Sequence, residues 1–98
     1  MAKDSFQNLI QSDRPVLIDF YAEWCGPCKS FAWTIDNLKH EVGDKARIVK
    51  IDVDKNQQLA GKLGIRSIPT VHIYRNGQLQ WSKVGAASIG ELKEALAV

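Results

Sequence analysis

The run of residues 16–22, Val-Leu-Ile-Asp-Phe-Tyr-Ala, is almost continuously apolar. This pattern is typical of a central β-strand that is buried on both faces, whereas a strand with one solvated face alternates apolar and polar side chains. Two apolar sheet faces have to be covered by other elements, and helices on both sides of the sheet cover them in α/β folds. The run therefore favours an α/β architecture.

Helix-like and strand-like patterns alternate along the rest of the chain. The predicted elements are, in order, helix 4–12, strand 16–22, helix 25–42, strand 47–53, helix 55–63, strand Thr70–Arg75, strand 78–83 and a last helix from Ser88. Strands separated by helices imply parallel pairing, and the dipeptide Asn76-Gly77 predicts a hairpin that adds an antiparallel edge strand. We expect one domain, residues 1–98, with a mixed four-stranded sheet and helices on both faces.

Composition and charge exclude several classes of function. The chain has 13 Lys and Arg residues against 11 Asp and Glu residues, and its net charge of +2 is too small to argue for binding to nucleic acid or to a membrane. No apolar run is long enough to span a bilayer. The first residues, Met-Ala-Lys-Asp, lack the apolar core of a signal peptide, which predicts a cytoplasmic location.

The only two cysteines, Cys25 and Cys28, form a C-x-x-C pair between the buried strand and the helix that follows it. The N-terminus of a helix has N–H groups without partners and a partial positive charge. A thiol at this position loses its proton more readily, and the thiolate is the form that attacks disulfides. The position of the pair therefore favours a redox function.

The pair has other interpretations. A structural disulfide between Cys25 and Cys28 would close a very short loop and would stabilise the fold by roughly 2 kcal/mol before strain is subtracted. A zinc site needs four ligands, but the only histidines, His40 and His72, are far apart in sequence, and we assign both of them surface or packing roles. A metal or iron–sulfur centre shared between two chains is the remaining alternative. We expect no metal site.

Several motifs around the pair resemble the thioredoxin family. They are residues 19–29 (Asp-Phe-Tyr-Ala-Glu-Trp-Cys-Gly-Pro-Cys-Lys), residues 64–70 (Gly-Ile-Arg-Ser-Ile-Pro-Thr), Asn76-Gly77, and residues 83–86 (Lys-Val-Gly-Ala). The motifs occur in the family's order and the match extends over nearly the whole chain, so the resemblance is more specific than C-x-x-C alone. It implies a thioredoxin-like fold and a protein dithiol–disulfide oxidoreductase.

The resemblance also implies catalytic roles. Cys25, exposed at the start of the helix, would attack a substrate disulfide, and the more buried Cys28 would resolve the mixed disulfide, leaving a reversible Cys25–Cys28 disulfide with no bound cofactor. Asp19 would accept the proton of Cys28, with Lys50 close to the carboxylate. The residues alone leave two alternatives open: Asp19 faces solvent, or Lys50 is an ordinary exposed strand lysine.

Family positions next to the cysteines shape the site. The resemblance implies that Gly26 and Pro27 favour a reductant over an oxidant, although proline also suits the start of any helix. Trp24 would shield the site and contact partners; its alternative role is that of a structural tryptophan.

The remaining family positions come from the second half of the chain. Pro69 matches a cis-proline opposite the cysteines, and it would leave the backbone of Ile68 free to pair with an extended segment of the substrate. Gly85 and Ala86 match small residues beside the site that allow a partner to approach closely.

The chain departs from the family pattern at three places. Family members usually have a further strand before the first helix; without it, residues 47–53 form an edge strand that could pair with another chain. Trp33 replaces a helix proline, and it either contacts a partner or second copy or is tucked in by a local bend. Tyr21 stands where many relatives have Trp. We expect a monomer with weak self-association through residues 47–53 or Trp33.

These arguments predict a cytoplasmic protein-disulfide reductase. The resemblance implies that an NADPH-dependent flavoenzyme, a thioredoxin reductase, regenerates the dithiol, with other disulfide-containing proteins as substrates. An isomerase or an oxidant would differ only in redox poise. The alternative from another class is an adaptor module that docks a partner with little redox turnover. Intact Asp19, Cys25 and Cys28 argue against it.

Overall fold

The computed structural model describes residues 3–98. Met1 and Ala2, on which part of the signal-peptide argument depends, lie outside the described residues. The elements in chain order are α1 (Lys3–Ile10), β1 (Val16–Tyr21), α2 (Gly26–Val42), a 3-10 turn (Gly43–Lys45), β2 (Arg47–Asp52), α3 (Gln57–Lys62), β3 (Thr70–Arg75), β4 (Gln78–Val84) and α4 (Ile89–Leu96). Across these residues, no helix combines the length and hydropathy needed to cross a membrane.

The four strands form one mixed sheet in the order β2-β1-β3-β4. β1 pairs in parallel with β2, while β3 pairs antiparallel with both β1 and β4. The prediction of a mixed four-stranded sheet with helices on both faces is confirmed. The expected parallel direction of β3 is wrong, because this strand runs opposite to β1.

The short helix α3 explains the direction of β3. The six residues of α3 cover about 9 Å at 1.5 Å per residue, whereas a six-residue strand such as β2 covers about 20 Å. The helix therefore does not carry the chain back along the sheet, and β3 begins at the end of the sheet where β2 and β1 finish. Phe20, near the end of β1, consequently lies opposite Thr70, the first residue of β3.

Two apolar cores cover the two faces of the sheet. The core between the sheet and helices α2 and α4 contains Leu17, Phe31, Ile35, Leu38, Val71, Ile73, Leu92 and Leu96. The core on the α1 and α3 side contains Phe6, Ile10, Val16, Ile18, Phe20, Ile51, Leu59 and Tyr74. Five of the six residues of β1 are fully buried, as the apolar run predicts for a central strand.

The predicted hairpin is present, and a side chain caps the last helix. Asn76 and Gly77 have φ of 53° and 79°, the left-handed backbone that a tight hairpin between β3 and β4 requires. At the start of α4, the Ser88 hydroxyl accepts a hydrogen bond from the Glu91 N–H at 3.1 Å, which satisfies one free donor of the first turn.

Candidate active site

Cys25 and Cys28 are joined by a disulfide at the start of α2. Cys25 is the N-cap of the helix, and its Sγ accepts a hydrogen bond from the Cys28 N–H at 3.1 Å. Pro27 occupies the first turn, where a missing N–H costs nothing because the donors there have no helical partner. The hydrogen bond and the helix dipole both stabilise negative charge on Cys25 Sγ.

The expected exposure of Cys25 is wrong for the disulfide form. Cys25 is 4% exposed and Cys28 is 3% exposed, so the two cysteines are equally buried. The sulfur atoms are bonded to each other and pack in a small cluster with Ala22, while Val53 and Ile68 cover its edge.

The Ile68–Pro69 peptide bond is cis, and it lies beside the disulfide. The carbonyl oxygen of Ile68 is 3.9 Å from Cys25 Sγ. The Gly85 N–H donates to the Pro69 carbonyl at 2.7 Å, and Gly85 has a φ of +98° that disfavours any other residue. Ala86 next to it is exposed. The antiparallel direction of β3 thus brings Ile68, Pro69, Gly85 and the disulfide together.

Asp19 is fully buried in β1, and neither of its carboxylate oxygens has a hydrogen-bond partner among the described residues. Burial raises the pKa of Asp19 to about 6, while the positive charge of Lys50 opposes the rise. The alternative that Asp19 faces solvent is therefore wrong. A carboxyl group with a pKa of this size can exchange a proton near neutral pH.

Lys50 lies on β2 directly opposite Asp19. Its side chain is exposed, and its Nζ stands 4.8 Å from the centre of the Tyr21 ring. Both interpretations of Lys50 therefore hold in part, since it is an exposed strand lysine that also acts on the Asp19 carboxylate. An open cleft of 280 Å³ connects Lys50 and Tyr21 with Cys28.

Trp24 projects from the rim of the site, with 70% of its surface exposed. Its indole N–H donates to Asp54 Oδ2 at 2.7 Å, which fixes the ring beside the disulfide. Asp52 holds the turn that presents Asp54, because its Oδ1 accepts the backbone N–H groups of Asp54 and Lys55 at 2.9 and 3.3 Å. Asp52 and Asp54 were not among the predicted site residues, although aspartates at the end of a strand often hold a turn through their side chains.

The two histidines do not approach the disulfide as ligands. His72 is buried in β3, where its ring packs edge-on against Phe20, and burial lowers its pKa. His40 is exposed on α2. In the part of the chain that the structure describes, no three His, Cys, Asp or Glu residues group closely enough to hold a metal ion.

Comparisons with known proteins agree with this geometry. The thioredoxin family model matches residues 1–98. The chain is 51% identical over 74 residues to the thioredoxin of Bacillus subtilis, which covers 76% of this chain and 71% of that protein. It is 44% identical over 82 residues to the thioredoxin of Rickettsia prowazekii, and this match covers 83% of this chain and 78% of that protein. The crystal structure of Malassezia sympodialis thioredoxin aligns with a TM-score of 0.86 at 37% identity, covering 98% of this chain and 84% of that one.

The chain belongs to the thioredoxin family. This family member has the CGPC-type pair as a disulfide, Cys25–Cys28. The family match and the pair together make it a protein dithiol–disulfide oxidoreductase. The expected family, fold and activity are confirmed.

Trp33 distinguishes this thioredoxin-family protein from the family pattern. The side chain is 77% exposed on α2, so the interpretation in which a local bend tucks it in is wrong. The interpretation that remains is a contact surface on the outer side of α2.

Proposed function

We propose that this protein reduces disulfide bonds in other proteins, with Cys25 as the attacking thiol. The observation that carries the proposal is the position of Cys25 Sγ as the N-cap of α2, where it accepts the Cys28 N–H at 3.1 Å. This environment stabilises the Cys25 thiolate in the reduced protein. It also makes Cys25 the better leaving group when the disulfide is reduced again.

The first step is attack of the Cys25 thiolate on one sulfur of the substrate disulfide. A Cys25–substrate disulfide forms, the substrate S–S bond breaks, and the second substrate sulfur leaves as a thiolate that takes a proton from solvent. The neighbouring backbone of Ile68 supports this step. Its carbonyl oxygen, 3.9 Å from Cys25 Sγ, marks where an extended substrate segment would pair with the chain.

In the second step Cys28 resolves the mixed disulfide. Asp19 accepts the Cys28 proton, the Cys28 sulfur attacks Cys25 Sγ, and the substrate leaves as a thiolate. Two electrons pass to the substrate and the Cys25–Cys28 disulfide remains. The pKa of Asp19, raised to about 6 by burial, supports this role because a base near neutrality is matched to the transfer.

The surrounding residues complete the site in this proposal. Trp24, held by Asp54, shields the disulfide and contacts the partner. Gly85 and Ala86 leave room for the partner's backbone, and Gly26 and Pro27 set a reducing potential. Lys50 stabilises the Asp19 carboxylate.

The wider setting follows from the family. We infer that one domain, residues 1–98, works in the cytoplasm without a bound cofactor, and that an NADPH-dependent flavoenzyme reductase returns the disulfide to the dithiol. We also infer a monomer with weak self-association, because β2 is an edge strand of the described sheet and Trp33 is exposed.

Trapping of the mixed disulfide tests the proposal. The Cys28→Ser variant, incubated with a disulfide-bonded test protein, should accumulate a Cys25–substrate disulfide that mass spectrometry locates. The Cys25→Ser variant should neither trap the substrate nor reduce it, and a Ser30→Ala variant, changed on the exposed face of α2, should turn over normally. Turnover by Cys25→Ser, or trapping through Cys28 in wild-type protein, would contradict the assigned roles.

A further inference from the structure

A groove of 330 Å³ borders the active site on the face of the sheet that carries α3. Its volume is at the lower end of that of small-molecule sites, roughly 300 Å³. The residues that line it are Gly64, Ile65, Arg66, Ser67, Thr70, His72, Ser82, Lys83 and Val84. Ser67 and Thr70 flank Ile68 and Pro69 in the chain, so the groove begins next to the backbone that faces Cys25.

The groove exists because the helices leave this part of the sheet face open. His72 pairs with Ser82 and Thr70 pairs with Val84 across β3 and β4, and opposed residues of an antiparallel pair share one face. The segment after α3, residues 64–67, forms the opposite wall. Ser82 and Val84 are consequently exposed.

His72 supplies a hydrogen-bond donor at the floor of the groove. Its Nδ1 lies 3.0 Å from the hydroxyl oxygen of Tyr74. When the Tyr74 hydroxyl donates to Nδ1, the neutral ring carries its proton on Nε2. His72 is only 7% exposed, and it lines the groove. In this tautomer, the Nε2–H is the donor that the ring can offer to a group bound there.

Arg66 supplies the positive charge of the groove. Its side chain is exposed, and it makes no ion pair with any described residue. The ammonium of Lys83 is committed elsewhere, because it lies 2.8 Å from Glu91 Oε1. Among the residues that the structure describes, no aspartate or glutamate lines the groove. An anion placed there would meet a guanidinium, an imidazole N–H and the hydroxyls of Ser67 and Ser82.

We propose that this groove is a specificity pocket for the carboxylate side chain of an Asp or Glu residue close to the target disulfide of a protein substrate. The inference rests on the proposed reductase function. A substrate segment that pairs with the Ile68 backbone is extended, and its alternate side chains lie about 7 Å apart on one face. An acidic residue within about two positions of the attacked cysteine would reach the groove, where charge-assisted hydrogen bonds would hold it.

Paired disulfide peptides test the pocket. The two peptides of a pair differ only in having Glu or Gln at the same position. The pairs together cover three positions on each side of the cysteine, and kcat/KM for reduction is measured for every peptide. At one position the Glu peptide should be reduced about tenfold more efficiently than the Gln peptide, through a lower KM, which corresponds to about 1.4 kcal/mol. The gain should appear in KM because the contact is made equally in the ground state and in the transition state.

Two variants locate the preference. Arg66→Gln removes the charge at the surface, and His72→Leu removes the donor while keeping an apolar floor; each should reduce the Glu preference at least threefold. Lys62→Gln, which removes a lysine of α3 that does not line the groove, should leave the preference unchanged. A preference that survives in Arg66→Gln and in His72→Leu would overturn the proposal.

A binding measurement separates the pocket from turnover. The Glu peptide with Ser in place of Cys should shift the His72 imidazole resonance on titration, and the Gln peptide should not. No shift at millimolar peptide, or equal kcat/KM for Glu and Gln at every position, overturns the pocket and leaves the reductase proposal intact. Failure to reduce any peptide overturns the reductase proposal, and the role of the groove as a specificity pocket for substrates is overturned with it.

Discussion

Asp19 is a buried carboxyl group without a hydrogen-bond partner in the described chain, and it costs the fold stability. Its pKa is raised from 3.8 to about 6, and a shift of this size corresponds to about 3 kcal/mol between the charged and neutral forms. The folded protein binds more protons than the unfolded chain between these two values. The contribution of Asp19 to the free energy of unfolding is therefore fully favourable below pH 3.8, where the carboxyl group is neutral in both states. This contribution is lost as the pH rises to 6.

Asp19→Asn should stabilise the protein at pH 8 by about 3 kcal/mol and change its stability little at pH 4, because the neutral amide resembles the protonated acid. Urea unfolding of the disulfide form at the two pH values measures the difference. Turnover should fall in the same variant, since the base for Cys28 is lost. An equal stability change at both pH values would show that Asp19 is not charged in the folded protein at pH 8.

Lys50→Met should raise the pKa of Asp19 further, because the positive charge that stabilises the carboxylate is removed. The pH at which turnover reaches half of its maximum should move upward, as the base stays protonated to higher pH. A pH–rate profile measures this shift. Lys62→Met, which changes a lysine not identified as acting on Asp19, is the matched control, and an equal shift in both variants would contradict the pairing.

The hairpin between β3 and β4 depends on Gly77. Its φ is +79°, and a Cβ at this position would come within 3 Å of the Gln11 side chain. Gly77→Ala should destabilise the fold by about 1–2 kcal/mol, the usual cost of left-handed backbone at a residue with a Cβ. Gly61 lies in α3, where an added Cβ would meet no described neighbour within 4 Å, so Gly61→Ala should instead stabilise the fold slightly. Thermal unfolding compares the two, and equal effects would contradict the turn argument.

The elements show what sequence patterns can and cannot predict. Apolar spacing located the four α-helices and strands β1 to β3 of the described chain, and the Asn76-Gly77 turn located β4. The predicted bounds differ from the observed ones by at most two residues. The direction of β3 was missed, since it depends on the length of α3, which ends at Lys62 and begins only at Gln57. The predicted helix 55–63 is also too short to carry the chain back along the sheet, so the rule that strands separated by a helix pair in parallel does not hold here.

The parts of the site that lie in short, contiguous sequence motifs could be predicted from the sequence. The disulfide pair and Pro69 follow from the sequence and the family resemblance. The burial of Asp19 depends on how both sheet faces are covered, and the groove beside His72 depends on where α3 stops. Neither property is encoded within a few residues, so both required the assembled fold.

At the scale of the whole molecule, we expect a monomer in dilute solution. β2 is an edge of the described sheet, but Arg47 and Lys50 place exposed charges along it, which disfavours pairing with another strand. Sedimentation velocity at about 10 μM should give a species near 11.0 kDa, with association only at much higher concentration. A tight dimer at this concentration would contradict the prediction.

The most direct test of the central claim is an equilibrium redox titration of Cys25–Cys28 against dithiothreitol, followed by tryptophan fluorescence, since Trp24 lies beside the disulfide. We expect a reversible two-electron transition with a midpoint below the glutaredoxin range of roughly −200 to −230 mV. A midpoint near roughly −120 to −180 mV, where oxidants and isomerases lie, would contradict a reductase. The absence of any reversible transition would contradict a redox function altogether.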